Sequence, residues 1–587
     1  VLTFAADFRQ LNQQDHPMEQ LHLKGTALLA ASALVLAGCG GLGKMDKYAS
    51  TITHTVDPDP LIVKGDSVEV NINGNFPGKY FYRKAQVELT PTLTYAGGET
   101  PMKMAGFQGD KAAGNYTVVP YEAGKSFTYN DKVAFSPAME QSELMLKVLG
   151  KQGKKEKPFT TPVKLADGVI TTPYLVMSDD RVVAGADKFV RVTDHSASAM
   201  INYLVASETV RPTELKDQDV KDMNDFVKAA VKNPRINWKG ATIDAYASPE
   251  GEVHMNENLA DKRAATAKRW IQGVLKASKV DSAKSDAFFS LSPKGEDWAG
   301  FKAATQASTF ADKDLVLRVL EMYPDVNKRE QEIKNMSATY KELSDDILPK
   351  LRRSEVNLNY SVNGYSDEEL SSLSMSDPDT LNVEELLKAA TLTNDLNEKL
   401  RIYREAERLF PQDWRTSNNV GMALFQQGKT AEAEAAFQKA NGIQDNAWST
   451  NNLGVIARQK GDRKKAAELF AKAGDAGTDV KYNQGIIDIM NGDYAAANAH
   501  MAGMNSFNAA LAKMLGGDAA GAGTILEASP EKDSAKGHYL AAIIAARTNN
   551  GEGVRSHLAA AVQQDASLRD KAMKDLEFRA FKDNLGI

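Results

Sequence analysis

From residue 67 the chain alternates strictly between apolar and polar positions. The alternation puts Val68, Val70 and Ile72 on one face and Glu69, Asn71 and Asn73 on the other, as in a half-buried strand. Comparable short runs lie at 85–95, 116–120, 132–135, 143–148 and 169–177, punctuated by turn clusters such as Asn73-Gly74-Asn75 and Gly97-Gly98. Together they predict a β-sandwich region over 51–200. The period then changes. Val220, Met223, Phe226, Val227 and Ala230 have helical spacing within 219–232, a strand is expected at 241–246, and a helix at 259–275. Helices dominate from about 300 to 348, and one more strand is expected at 355–360. Residues 363–381 are polar and read as a linker. Beyond them, 382–587 is predicted to be all helix.

That last stretch repeats. Gly421, Ala433, Phe437 and Ala440 recur at one shared offset as Gly454, Ala466, Phe470 and Ala473, and Gly485, Ala497 and Met501 follow a slightly shorter step later. Small residues let two antiparallel helices approach, and the aromatic fills the seam between neighbouring hairpins. With Val420-Gly421 and Leu453-Gly454 in register, the array resembles the tetratricopeptide repeat family, which implies a solenoid with a concave binding face. Weaker copies are expected on both sides, with a charged final helix, 568–581, as the cap. Asn419, Asn452 and Asn483 each lie two residues before the repeat glycine. On the concave face they would form a ladder whose carboxamides bond the backbone of a partner's extended segment.

Composition narrows the function classes. The chain has 587 residues, 42% hydrophobic and 25% charged, which calls for several domains of ordinary globular character. A net charge of -6 gives no general reason to bind nucleic acid, and no motif for it is present. The single cysteine excludes a disulfide framework and a multi-cysteine metal site.

Cys39 ends the one long apolar run, which extends from Gly25 to Gly38 behind Lys24. The run is shorter than the roughly 20 residues that span a bilayer, and it suits the apolar part of a signal peptide. Leu36-Ala37-Gly38-Cys39 resembles the lipobox of bacterial lipoproteins. That resemblance implies cleavage before Cys39 and a lipid on its thiol, so 1–38 is read as an upstream segment with a signal peptide and 39–50 as a flexible tether. No acidic cluster follows the cysteine, and Gly40 is not an aspartate, so the expected location is the outer membrane, facing the periplasm.

The segment 241–251, followed by Asn256, Leu259, Arg263 and Ala264 in an N-x-x-L-x-x-x-R-A pattern, resembles the OmpA-like peptidoglycan-binding family. The resemblance covers 205–362, with a helical insertion at 295–349 and a closing strand introduced by Arg352-Arg353. It implies that Arg263 binds a peptide-stem carboxylate, a task suited to a bidentate guanidinium. The family's loop aspartate, which pairs with an ammonium group, is replaced here by Ser248. Glu250 and Asp244 are the nearby carboxylates, and Asn256 completes the candidate set.

No catalytic constellation accompanies these features. The histidines His195, His254, His500, His538 and His557 are scattered, and there is no metalloprotease, nucleophile-elbow or phosphate-loop spacing. The expected molecule is therefore multidomain, with an N-terminal immunoglobulin-like β-sandwich, an OmpA-like α/β domain and a C-terminal tetratricopeptide solenoid. It is expected to be a non-enzymatic scaffold with no cofactor beyond the lipid and no metal. Its expected partners are the outer membrane, peptidoglycan and a protein. The alternative is an accessory lipoprotein that binds protein alone.

Overall fold

The computed structural model describes residues 41–474 and 477–587, so Cys39 and the apolar run before it lie outside the described residues. The chain divides into two compact units. One comprises the chain up to Asp180 together with Lys481–Ile587, and the other comprises Arg181–Val480.

In the first unit, strand Ser67–Phe76 buries Val68, Val70 and Ile72 on its inner face. It pairs antiparallel with Lys125–Ala134 on one side and with Thr53–Asp57 and Leu61–Lys64 on the other. A second sheet is built on Gln86–Tyr95 paired with Ser142–Gln152. Leu93, Leu144 and Leu165 from this sheet meet the first sheet's Val68, Val70 and Ile72 in a shared core. Both sheets are mixed, because Val169–Ile170 joins Leu61–Lys64 in parallel and Thr117–Val119 joins Ala105–Gly109 in parallel.

Three segments of this unit differ from the expectations. The expected tether contains the helix Gly41–Lys47, whose Leu42 and Met45 are buried one turn apart against the sheets. Asp46 secures it by accepting the backbone N–H groups of Thr160 and Thr161 and pairing with Lys157 at 2.8 Å. The last strand of the sandwich ends at Ile170, and strand Val192–Asn202 belongs to a different sheet, so the β-sandwich closes well short of 200. At the C-terminus, the expected cap is a helix Leu568–Lys574 followed by a 3-10 turn Leu576–Phe581. Its charges hold turns and one strand end of this unit's β region: Glu577 accepts the Thr172 hydroxyl at 2.6 Å, and Arg579 reaches Asp59 and Asp167, each at 3.2 Å.

The second unit contains a four-stranded sheet in the order Val192–Asn202, Arg353–Asn363, Ile236–Ala247, Phe289–Glu296. Only the last pair is parallel. Helices Gln218–Ala230 and Val253–Ala277 cover one face, packing Val220, Val227, Ala267 and Ile271 on Ile243, Val356 and Leu358. Four helices between Trp298 and Asp346, with the short Leu348–Leu351, form a satellite core around Phe301, Val316 and Leu343.

The expected linker 363–381 holds the helix Asp367–Ser376. Ser366 and Glu369 form a capping box at its start, and its buried Leu370 joins the core of the first helical repeats. Those repeats continue through Val383–Thr391, Leu396–Leu409, Trp414–Gln426, Thr430–Ile443, Ala447–Gln459 and Arg463–Ala473. Among the described residues no helix is long and apolar enough to cross a membrane.

Candidate functional site: a carboxamide clamp and a buried guanidinium

The repeat glycines sit where a side chain would collide. A Cβ on Gly421 would lie 2.6 Å from the Phe437 ring, and one on Gly454 would lie 2.6 Å from Phe470. This close approach fixes the first helix of each repeat and turns the residues before the glycine into the groove. Asn419 and Asn452 are there, each at most 1% exposed.

Their partner is this chain. Asn419 accepts the Gly185 N–H at 2.7 Å and donates to the Gly185 carbonyl at 2.9 Å. Asn452 does the same for Val183, at 2.7 and 2.8 Å. Asn418 donates to the Val183 carbonyl at 3.0 Å, and Asn451 to the Arg181 carbonyl at 3.0 Å. An extended chain points alternate residues the same way, so each carboxamide meets the N–H and C=O of every second residue, much as a neighbouring strand would. Val182 and Ala184 turn the other way, into the apolar core of the repeats. Gly185 is buried under Arg415, whose side chain would lie 2.7 Å from an added Cβ.

The expectation of a ladder reading a partner's backbone is therefore corrected in its occupant: in this unit the backbone belongs to residues 181–185 of the same chain. Asn483 is fully buried in the helix Thr478–Asn491. The first unit contains a clamp that the sequence analysis missed, in which Asn508 brackets Met177, accepting its N–H at 2.7 Å and donating to its carbonyl at 3.0 Å. Ala510 replaces the glycine of the motif there, and the recurring offset is broken.

The groove in the second unit ends on charge. Arg415 reaches Glu384 at 2.7 Å and Asp413 at 2.6 Å, and donates to the Ala186 carbonyl at 3.1 Å. Its hydrogen bond holds the Glu384 carboxyl below the usual carboxylate range against the opposing effect of burial. Burial also pushes the Asp413 carboxyl up, but the Arg415 bonds outweigh it and the net shift is downward.

The α/β region gathers most of its candidate residues at the C-terminal end of strand Ile236–Ala247. Arg263 is 1% exposed and stacks its guanidinium 5.0 Å from the Tyr203 ring centre. It donates Nε to Ser207 O at 3.0 Å, Nη1 to Tyr246 O at 2.9 Å and Nη2 to Leu204 O at 3.2 Å. Burial pulls it down to about 10. The expected open fork for a ligand carboxylate is thus turned onto the protein's own carbonyls. Glu250 pairs instead with Arg352 at 2.7 Å, and the Ser248 hydroxyl donates to Glu250. Asn256 donates to the Ser248 carbonyl at 3.4 Å and to Glu296 at 2.8 Å. Asp244 stands apart, paired with Lys294 at 3.2 Å. Arg352, expected only to introduce the closing strand, is the cation that organises the loop.

Residues 415–440, which cover one helical hairpin of the second unit, match the tetratricopeptide repeat family. Among solved structures, the chain is similar to a tetratricopeptide repeat protein from Parabacteroides merdae ATCC 43184, at 16% identity over 36% of this chain and 91% of that one, with a TM-score of 0.27. It is also similar to PilW, a widely conserved type IV pilus biogenesis factor, at 18% identity over 37% of this chain and 97% of that one, with a TM-score of 0.25. A third is YrrB, a TPR protein with an unusual peptide-binding site, at 17% identity over 35% of this chain and all of that one, with a TM-score of 0.22. No curated protein matches the chain. The C-terminal helical region thus carries tetratricopeptide-like repeats behind an N-terminal β-rich region.

Proposed function

We propose that this protein is a lipid-anchored, periplasm-facing outer-membrane scaffold. In this reading its tetratricopeptide-like repeats hold its own chain in the groove and recruit a protein partner on their remaining faces. The carrying observation is the clamp: Asn418, Asn419, Asn451 and Asn452 spend their carboxamides on residues 181–185. The lipid on Cys39 supplies the anchor, with about 0.8 kcal/mol per buried methylene. No catalytic group takes part in this reading.

Partner recovery by affinity purification from the native envelope tests it. Wild type and the double variant Asn419→Ala, Asn452→Ala should bring down the same proteins. A partner lost only from the folded double variant would move recruitment into the groove and overturn this assignment. Cys39→Ser should release the protein from the membrane fraction, and continued retention there would count against the anchor.

A second reading adds peptidoglycan contact through the α/β domain, of OmpA-like type. It is supported by the pairing of strand Ile236–Ala247 with the closing strand Arg353–Asn363 and by the Arg263-bearing helix packed on their sheet. The enclosure of Arg263 weighs against it. Retention of wild type on purified sacculi, weakened by Glu250→Ala, would favour this reading, and passage of wild type through them would remove it.

A further inference from the structure

In the second unit, each of the two helices that carry the clamp has a tryptophan one turn before an asparagine. Trp414 stands four positions before Asn418, and Trp448 four before Asn452, so each tryptophan shares a helix face with its asparagine. The two indoles stack on one another, with ring centres 5.3 Å apart and planes 30° apart. They border an open hollow of about 820 Å³, together with Phe410, Pro411, Gln412 and Gln444. Trp448 is 36% exposed. Among the described residues neither indole N–H has a protein acceptor.

The hollow continues the groove. Ala186, the first residue past the clamped segment 181–185, lines it, and Arg415 holds the Ala186 carbonyl at its edge. The charges of the wall cancel: Asp413 is paired with Arg415, and Asp187 is offset by Lys188. The wall therefore favours an uncharged ligand. Asp187 also accepts the Phe189 N–H at 3.1 Å, so the carboxylates have little left for the hydroxyls of a sugar. What the wall offers instead is exposed ring surface beside two indole N–H groups, which can only donate.

We propose that this hollow binds a proline-rich segment of a protein partner, held as a polyproline II helix. Proline suits both features of the wall. Its uncharged ring packs on an indole face, and it brings a carbonyl without an N–H, so a wall that only donates leaves no ligand group unpaired. The polyproline helix is extended before it docks, which keeps the entropy lost on binding small. Proline rings lie against Trp414 and Trp448, and the carbonyls between them accept the indole N–H groups. The site rests on the repeats recruiting protein outside their own clamp, and it names the surface they use.

Calorimetry of the full-length protein with an oligoproline peptide tests the site. A Gly-Ser peptide of equal length and an N-acetylglucosamine oligosaccharide are the comparison probes. Wild type should bind oligoproline saturably and neither of the others, and Trp448→Ala should weaken that binding about tenfold or more. Trp448→Phe keeps a ring for packing but loses the N–H, so it serves if the smaller residue disturbs the fold, and it too should bind more weakly. Absence of saturable oligoproline binding overturns the proposal. So does undiminished binding in a folded variant, or a preference for the oligosaccharide. The recruiting role fails separately, if affinity purification from the native envelope recovers no protein while oligoproline still binds.

Discussion

The carboxamide clamp and the Arg263 pocket lie in the same unit, and both turn a residue type suited to an outside ligand onto the chain itself. They differ in what they can satisfy. An asparagine carries a donor and an acceptor, so it completes both halves of a peptide group, as Asn419 does for Gly185 and Asn452 for Val183. A guanidinium only donates. Arg263 therefore satisfies three carbonyls and remains a buried cation, with Tyr203 its aromatic neighbour and Glu250 given over to Arg352. The first arrangement is neutral and self-complete, while the second is strong but electrostatically open. A device that must grip any backbone is built the first way, and a device that locks one loop is built the second.

This comparison sets the order of expected effects. Arg263→Ala should be the most damaging, because it removes a buried guanidinium that holds the carbonyls of Leu204, Ser207 and Tyr246 together. A loss of about 3 kcal/mol or more is expected in denaturant unfolding. A loss below about 1 kcal/mol would show that the loop 204–207 simply opens to water.

Asn452→Ala should cost about 2 kcal/mol by leaving the Val183 N–H unpaired and its C=O held by Asn418 alone. Amide exchange at Val183 should quicken more than exchange in the helix Ala447–Gln459. Asn452→Asp sharpens the point: it keeps the acceptor, loses the donor and sets a carboxylate against a carbonyl, so it should be at least as harmful.

Gly421→Ala should cost about 1–2 kcal/mol through crowding of Phe437, read as a lower unfolding temperature. The smallest effect concerns acid. Arg415 holds the Glu384 carboxyl below its ordinary value, so below about pH 4.3 the unfolded chain takes up a proton that the folded chain refuses. Stability from this group is complete above that pH and is lost as pH falls through the folded value. Glu384→Gln should flatten the fall in unfolding temperature between pH 5 and 3.

Much of the repeat array was legible because its signal is local and recurs: a glycine, an alanine and an aromatic at fixed steps. The occupant of the groove was not. Residues 176–190 have neither apolar period nor regular structure, and the bond from Gly185 to Asn419 spans 234 positions. The helix Asp367–Ser376 passed for a linker because only Leu370 and Leu373 mark its apolar side, although its Ser366–Glu369 box was in plain view. Strand Phe289–Glu296 was missed because Pro293 and Gly295 interrupt it. In the α/β region, the family resemblance placed Ser248, Glu250 and Asn256 near one another, as they are. Sequence spacing could not show that Arg352 would take Glu250 while Arg263 was enclosed.

The slot that holds Gly185 bears on how this chain can drift. A grip made of N–H and C=O contacts records direction and step but almost no spelling, so residues 181–184 are free to change among side chains that suit their side of the groove. Gly185 has no such latitude, since Arg415 occupies the space a methyl group would need. Random mutagenesis of this stretch should therefore tolerate apolar exchanges at Val182 and Ala184 and accept no side chain at Gly185.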